Sequence, residues 1–297
     1  MRDASHSSKT GPRQLIVTAD DFGLAEEINE AIEIAHRQGI LSAASLMVAG
    51  PAATDAIGRA RRLPKLRVGL HLVLLEEKPV LPPAHIPGLV DGSGRMRRDL
   101  VRLAFELAHS KRLRSQLREE IEAQFAAFLD SGLRLDHVDV HKHYHLHPIV
   151  GREVIAAARR HGASAVRVPA EPRSVIRRIE NRRTTAASAA LATWASLLRW
   201  QVRRAGLRAP DAVFGLTWSG EFTDGRLLAL LRHLPGGVNE IYTHPAVKDR
   251  FRGSAEGYRY SEELKALCAA EVMAQIKRSR LNPVGYSDVA DGRIADR

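Results

Sequence analysis

Short apolar, β-branched runs alternate with stretches of helical periodicity along this chain, and no other feature limits its fold as much. Residues 15–18 form such a run, ending in Asp20, Asp21 and Gly23, after which Ile28, Ala31, Ile32 and Ala35 recur at helical spacing. Residues 41–48 predict a second strand, 51–62 its helix and 67–74 a third strand, with no hairpin signal between them. Strands that alternate with helices in this way build a parallel sheet. Residues 96–129 read as one or two amphipathic helices, 135–141 as a strand, and a helix opens near Pro148. Residues 165–168, 212–217, 238–243 and 283–286 bring the count to about eight strands, enough to close a barrel, with helices expected at 224–234 and 261–278. The 297 residues accommodate one barrel of roughly 250.

The expected organisation is a polar N-terminal tail at 1–13 and one α/β-barrel domain at 14–290. Residues 171–210 break the rhythm: they are Arg-rich at both ends, carry Trp194 and Trp200, and read as a helical insertion. The insertion is too polar to span a membrane. Its Arg, Trp and Leu residues suit either a helix lying in an anionic membrane interface or a hairpin packed on the barrel. A net charge of +11 favours anionic partners. Nucleic acid is not expected, because the aromatic-and-basic motifs of common RNA-binding modules are missing and basic charge alone leaves the histidines described next unexplained. Cys268 is the one cysteine, so no internal disulfide is possible, and the tail lacks the apolar run of a secretory signal. A cytoplasmic protein, peripheral on the inner membrane if the insertion touches lipid, is the expectation.

His137, His141, His143, His145 and His147 are five of the chain's 13 histidines within eleven residues, where about half of one is expected. With Asp139 they occupy odd positions, which face one side while the chain stays extended. Same-face neighbours on a strand stand about 6.6–7 Å apart, whereas two ligands of one metal lie within roughly 4 Å, so one histidine of the row can bind an ion, or two if the strand breaks. The other ligands must come from other strand ends. His71, Asp20 and Asp21 are so placed, and Asp20 and Asp21 can divide the roles of ligand and base. Hydrolysis at such a metal also needs a proton donor for the departing group: His244, at another strand end, can supply it, as can His143 or His145. His143, His145 and Arg167 are also candidate substrate-binding residues.

The segments Leu15-Ile16-Val17-Thr18-Ala19-Asp20-Asp21-Phe22-Gly23, Val68-Gly69-Leu70-His71-Leu72, His137-Val138-Asp139-Val140-His141-Lys142-His143-Tyr144-His145 and Thr243-His244-Pro245 resemble, in order, four signatures of the YdjC-like carbohydrate deacetylases. Within that family, Ala43-Ala44-Ser45-Leu46-Met47-Val48, Gly69-Leu70-His71-Leu72-Val73-Leu74 and the basic insertion look most like the hopanoid biosynthesis-associated deacetylases. The resemblance implies a degenerate (β/α) TIM-like barrel and one divalent ion, Mg²⁺ or Zn²⁺. It implies hydrolysis of the N-acetyl group of an N-acetylglucosamine-type sugar, with Asp21, His71 and His141 as metal ligands, Asp20 as base and His244 as acid or transition-state stabiliser. The insertion points away from a soluble chitooligosaccharide and towards N-acetylglucosamine carried on a hopanoid glycolipid.

Overall fold

The computed structural model describes residues 13–180 and 186–290. In chain order its elements are β1 (Arg13–Phe22), α1 (Glu26–Gln38), β2 (Ala43–Leu46), α2 (Ala53–Arg61), β3 (Arg67–Leu72), α3 (Leu100–His109), α4 (Lys111–Asp130) and β4 (Val138–Val140). A tight helical turn (His141–Leu146) follows, then α5 (Pro148–Arg160), α6 (Arg173–Ile179), α7 (Ala186–Arg204), β5 (Ala212–Phe214) and α8 (Asp224–His233). The chain continues through β6 (Gly237–Thr243), α9 (Tyr260–Cys268), α10 (Ala270–Arg278) and α11 (Tyr286–Ala290). Arg13, the last residue assigned to the tail, belongs to β1; positions 1–12 of the tail, and 181–185 of the insertion, lie outside the described residues.

The six strands form one parallel sheet in the order β4-β3-β2-β1-β6-β5. Two of the eight expected strands are single bridges instead. Residues 164–170 run between the two sheet edges: Arg167 N–H donates to the Val138 carbonyl on the β4 side, while Val166 N–H donates to Arg208 and Val213 N–H to Ala170 on the β5 side. This irregular stave closes the barrel. Pro283 bridges Leu15, and Val284 N–H donates to the Leu15 carbonyl. The helix expected over 261–278 is two, α9 and α10, because Ala269 is extended.

Strand residues alternate between two environments, as the pleat requires. Leu15, Val17 and Ala19 of β1, Val68, Leu70 and Leu72 of β3, and Val138 and Val140 of β4 face outward into the main apolar core beneath the helices. The inward positions are layered. Ile16, Ala43 and Ala165, with Val284 and Tyr286, make a small apolar plug at the N-terminal end of the strands. Above it lies a polar layer in which His137 spans the interior, meeting Asp136 at 2.9 Å and Ser45 at 3.0 Å and stacking on Tyr286. Gly69 makes room for that ring, since a Cβ there would lie 2.5 Å from its atoms. Gly69→Ala should therefore cost about 1–3 kcal/mol, the usual price of overpacking, measured as a lower denaturant midpoint with an unchanged slope.

Candidate active site

The C-terminal ends of the strands open into a cavity of about 600 Å³ lined by Asp20, Asp21, His71, His141, His143, Tyr242, His244 and Tyr258. Consecutive residues of a regular strand point to opposite faces, yet Asp20 and Asp21 both line it. The cause is local: the pairing of β1 with β2 shifts register between Ala19 and Phe22, and Asp21 adopts a left-handed φ of 61°. An Asp tolerates that region better than most residues, and a bulge re-aims the side chain that follows it. Gly23, with φ 97°, continues the turn, and its N–H donates to Asn29 of α1.

Asp21 Oδ1, His71 Nε2 and His141 Nδ1 converge on one point. Both imidazole nitrogens lie 3.3 Å from the carboxylate oxygen and 3.2 Å from each other. Ligands bound at about 2.1 Å and spaced this way subtend about 100° at an ion, between octahedral and tetrahedral values. The donor chemistry also fits a cation. Asp21 Oδ1 is buried with no hydrogen-bond partner, and His71 Nδ1 is 3.1 Å from Asp139. Donating there leaves a lone pair on Nε2, the carboxylate–histidine arrangement that orients metal-binding imidazoles. Burial works against charge here, yet the two imidazoles hold Asp21 well below its ordinary pKa, and Asp139 and Asp21 hold His71 well above its own. The point favours positive charge. Asp20, His71 and Asp139 form a second group within metal-sharing reach, but there the positive charge is already supplied by Arg167.

Arg167 is fully buried, and its guanidinium makes five contacts with three carboxylates. Nη1 and Nη2 grip Asp20 at 2.6 and 2.8 Å, Nη1 also donates to Asp139, and Nε and Nη2 meet Glu240 at 2.7 and 2.6 Å. Glu240 also accepts from Thr18 and Tyr286. This fork fixes both Asp20 oxygens while leaving each a second lone pair towards the cavity.

A family profile described as YdjC-like protein matches residues 14–278, most of the chain. The chain belongs to the YdjC-like family. This YdjC-like protein is 29% identical over 279 residues to the carbohydrate deacetylase of Brevibacillus brevis, an alignment covering 93% of this chain and 99% of that one. It is 29% identical over 284 residues to the chitooligosaccharide deacetylase of Salmonella agona, with the same coverage. Among solved structures, an Enterococcus faecalis protein described as a cellobiose-phosphate cleavage protein superposes with a TM-score of 0.75 at 25% identity, covering 94% of this chain and 99% of that one.

Two of the YdjC-like protein's expected substrate contacts are corrected by their surroundings. Arg167 is fully buried among Asp20, Asp139 and Glu240 and does not line the cavity. His145 is buried, its Nε2 2.8 Å from the Arg167 carbonyl, and burial pushes it down to about 4. It therefore braces the closing stave. His143 does reach the cavity, because Lys142 and His143 both take left-handed φ values and turn the chain back after the strand ends. Its Nε2 meets the Tyr242 hydroxyl at 3.0 Å. His244 lines the cavity between the Tyr242 and Tyr258 rings, with Nδ1 buried and unpartnered, and burial lowers its pKa. Its backbone N–H donates to Glu263, itself pushed up to about 7 by burial. Sequence reasoning gave Asp139, Glu240 and Tyr242 no role. Their signal was the same alternation that exposed the histidine row: 240, 242 and 244 share parity on one strand.

Proposed function

We propose that this protein is a metal-dependent N-deacetylase that removes acetate from an N-acetylglucosamine group carried on a hopanoid-type glycolipid. The observation that carries the reading is the meeting of Asp21, His71 and His141 beside an Arg-clamped Asp20 on the wall of an open cavity. A divalent ion held by the three residues would polarise the amide carbonyl and acidify a water. Two imidazole ligands favour Zn²⁺ over Mg²⁺.

The chain's own groups supply the remaining steps. Asp20 accepts a proton from the attacking water as its oxygen bonds to the acetyl carbon, and the Arg167 fork keeps the carboxylate aimed throughout. His244 gives a proton to the nitrogen as the C–N bond breaks, so the amine leaves neutral and acetate remains. Burial favours the neutral His244 ring, so the proton it gives is first taken up from solvent, and Asp20 returns the proton it accepted to solvent once acetate leaves. The Tyr242 hydroxyl and His143 form a polar wall for the sugar.

Chelation should abolish acetate release, and adding back one equivalent of Zn²⁺ should restore it. Activity undiminished after the protein is shown metal-free by mass spectrometry would sink this reading. The Salmonella relative's name favours a second substrate, a soluble chitooligosaccharide. Comparing turnover of chitobiose with that of an N-acetylglucosaminyl hopanoid decides between them: the first reading expects the lipid-borne sugar to be preferred.

A further inference from the structure

Two helices beside the cavity leave apolar side chains in solvent that none of the described residues covers. On α3, Val101 and Phe105 are 85% and 67% exposed; on α7, Trp194, Leu197 and Trp200 form a stripe at three-residue spacing, Trp200 being 54% exposed. The opposite side of α7 is satisfied, because Ala195, Leu198 and Val202 are buried in the core. Soluble surfaces rarely gather large apolar groups without a partner.

Both helices are tied to the turn that carries His141. The Tyr144 hydroxyl donates to the Leu100 carbonyl of α3 at 3.4 Å, and the Trp194 indole N–H donates to the Leu146 carbonyl. Arg98, just before α3, lines the cavity itself. Both helices that carry exposed apolar residues therefore touch the active-site turn. Of the basic groups nearby, Arg102 on α3 pairs with Glu106 and Arg203 at the end of α7 with Asp211, while the Arg204 guanidinium sits 5.2 Å from the Trp200 ring centre.

We propose that α3 and α7, which both touch the active-site turn, dock this enzyme on an anionic lipid surface. Charge selects that occupant. Tryptophan and arginine together suit the headgroup region, where a ring is half-buried and a guanidinium meets phosphate. α7 carries three arginines and no acidic residue, so its exposed stripe lies in a positive field. None of the described helices is long and apolar enough to cross a membrane, so the contact is peripheral. The inference rests on the lipid-borne substrate proposed above, but its test does not use that substrate.

The test is co-sedimentation of the full chain with vesicles of mixed phosphatidylglycerol and phosphatidylcholine, or of phosphatidylcholine alone. Partition should be at least about tenfold higher on the anionic vesicles and should weaken with salt. Leu197→Glu with Trp200→Glu, and separately Val101→Glu with Phe105→Glu, should each reduce it about tenfold. Hydrolysis of a soluble chitooligosaccharide should stay at the wild-type rate in both, which shows that they fold. The proposal is overturned if the wild type ignores anionic vesicles, if either double variant binds like the wild type, or if the wild type is a dimer that these substitutions dissociate. Loss of the deacetylase reading would look different: no acetate from either soluble or lipid-borne substrate, whatever the vesicles bind.

Discussion

Asp20→Asn should lower acetate release by about 10²–10⁴-fold, the usual contribution of a general base, while metal content stays at the wild-type level. The two effects separate because Asp21, two imidazoles and Asp139 remain in place. The asparagine retains one oxygen for the Arg167 fork, and Asp139 and Glu240 still pair with the guanidinium. The barrel should therefore stay folded. Initial rates beside metal analysis of the same sample check this. An Asn variant with wild-type turnover would remove Asp20 from the chemistry, and one that loses the metal would make it a ligand.

Arg167→Met should be the most destabilising single change near the site. It leaves the carboxyl groups of Asp20, Asp139 and Glu240, all buried, without their shared cation, and breaking a buried ion pair from one side costs about 3–5 kcal/mol. Folded domains have roughly 5–15 kcal/mol in hand, so the variant should melt well below the wild type and be inactive. Arg167→Lys should not rescue it. An ammonium offers three donors from one point, whereas Arg167 spreads five contacts across three carboxylates. Wild-type melting of the Lys variant in a thermal scan would show that charge alone is required and that the fork geometry is dispensable.

Much of this was legible before any coordinates. The strand and helix alternation predicts the parallel barrel because in a parallel sheet each strand must be followed by a crossover, and the chain writes that out one unit at a time. Asp20, Asp21 and His71 stood out because strand ends carry function in such barrels, and same-face spacing limited the clustered row to one or two histidines per ion; His141 as that histidine, and Asp21 as the ligand, came from the resemblance to the YdjC-like deacetylases. His137 illustrates what was not: it has the right residue type and parity, but it lies one layer deeper, where Gly69 and Tyr286 enclose it. Depth along a strand is set by register with neighbours, which periodicity does not encode. Arg167 was misread for a related reason. An arginine in a short apolar strand looks like a stranded charge available to ligand, and only the convergence of β1, β4 and β6 supplies three carboxylates to consume it. Nor did the run Ala19-Asp20-Asp21-Phe22 announce the bulge that turns two successive carboxylates the same way, since left-handed Asp21 depends on the β2 pairing beyond it.

The closing stave has a consequence for how this barrel loses its function. Backbone bonds tie it to Val138 of β4, to Arg208 and to Val213 of β5, and the Arg167 fork ties it across the interior to β1, β4 and β6. The same stave carries the guanidinium that aims Asp20. Any opening along that seam must break the fork, so it disarms the carboxylate in the same event and couples catalytic lifetime to the integrity of one short segment.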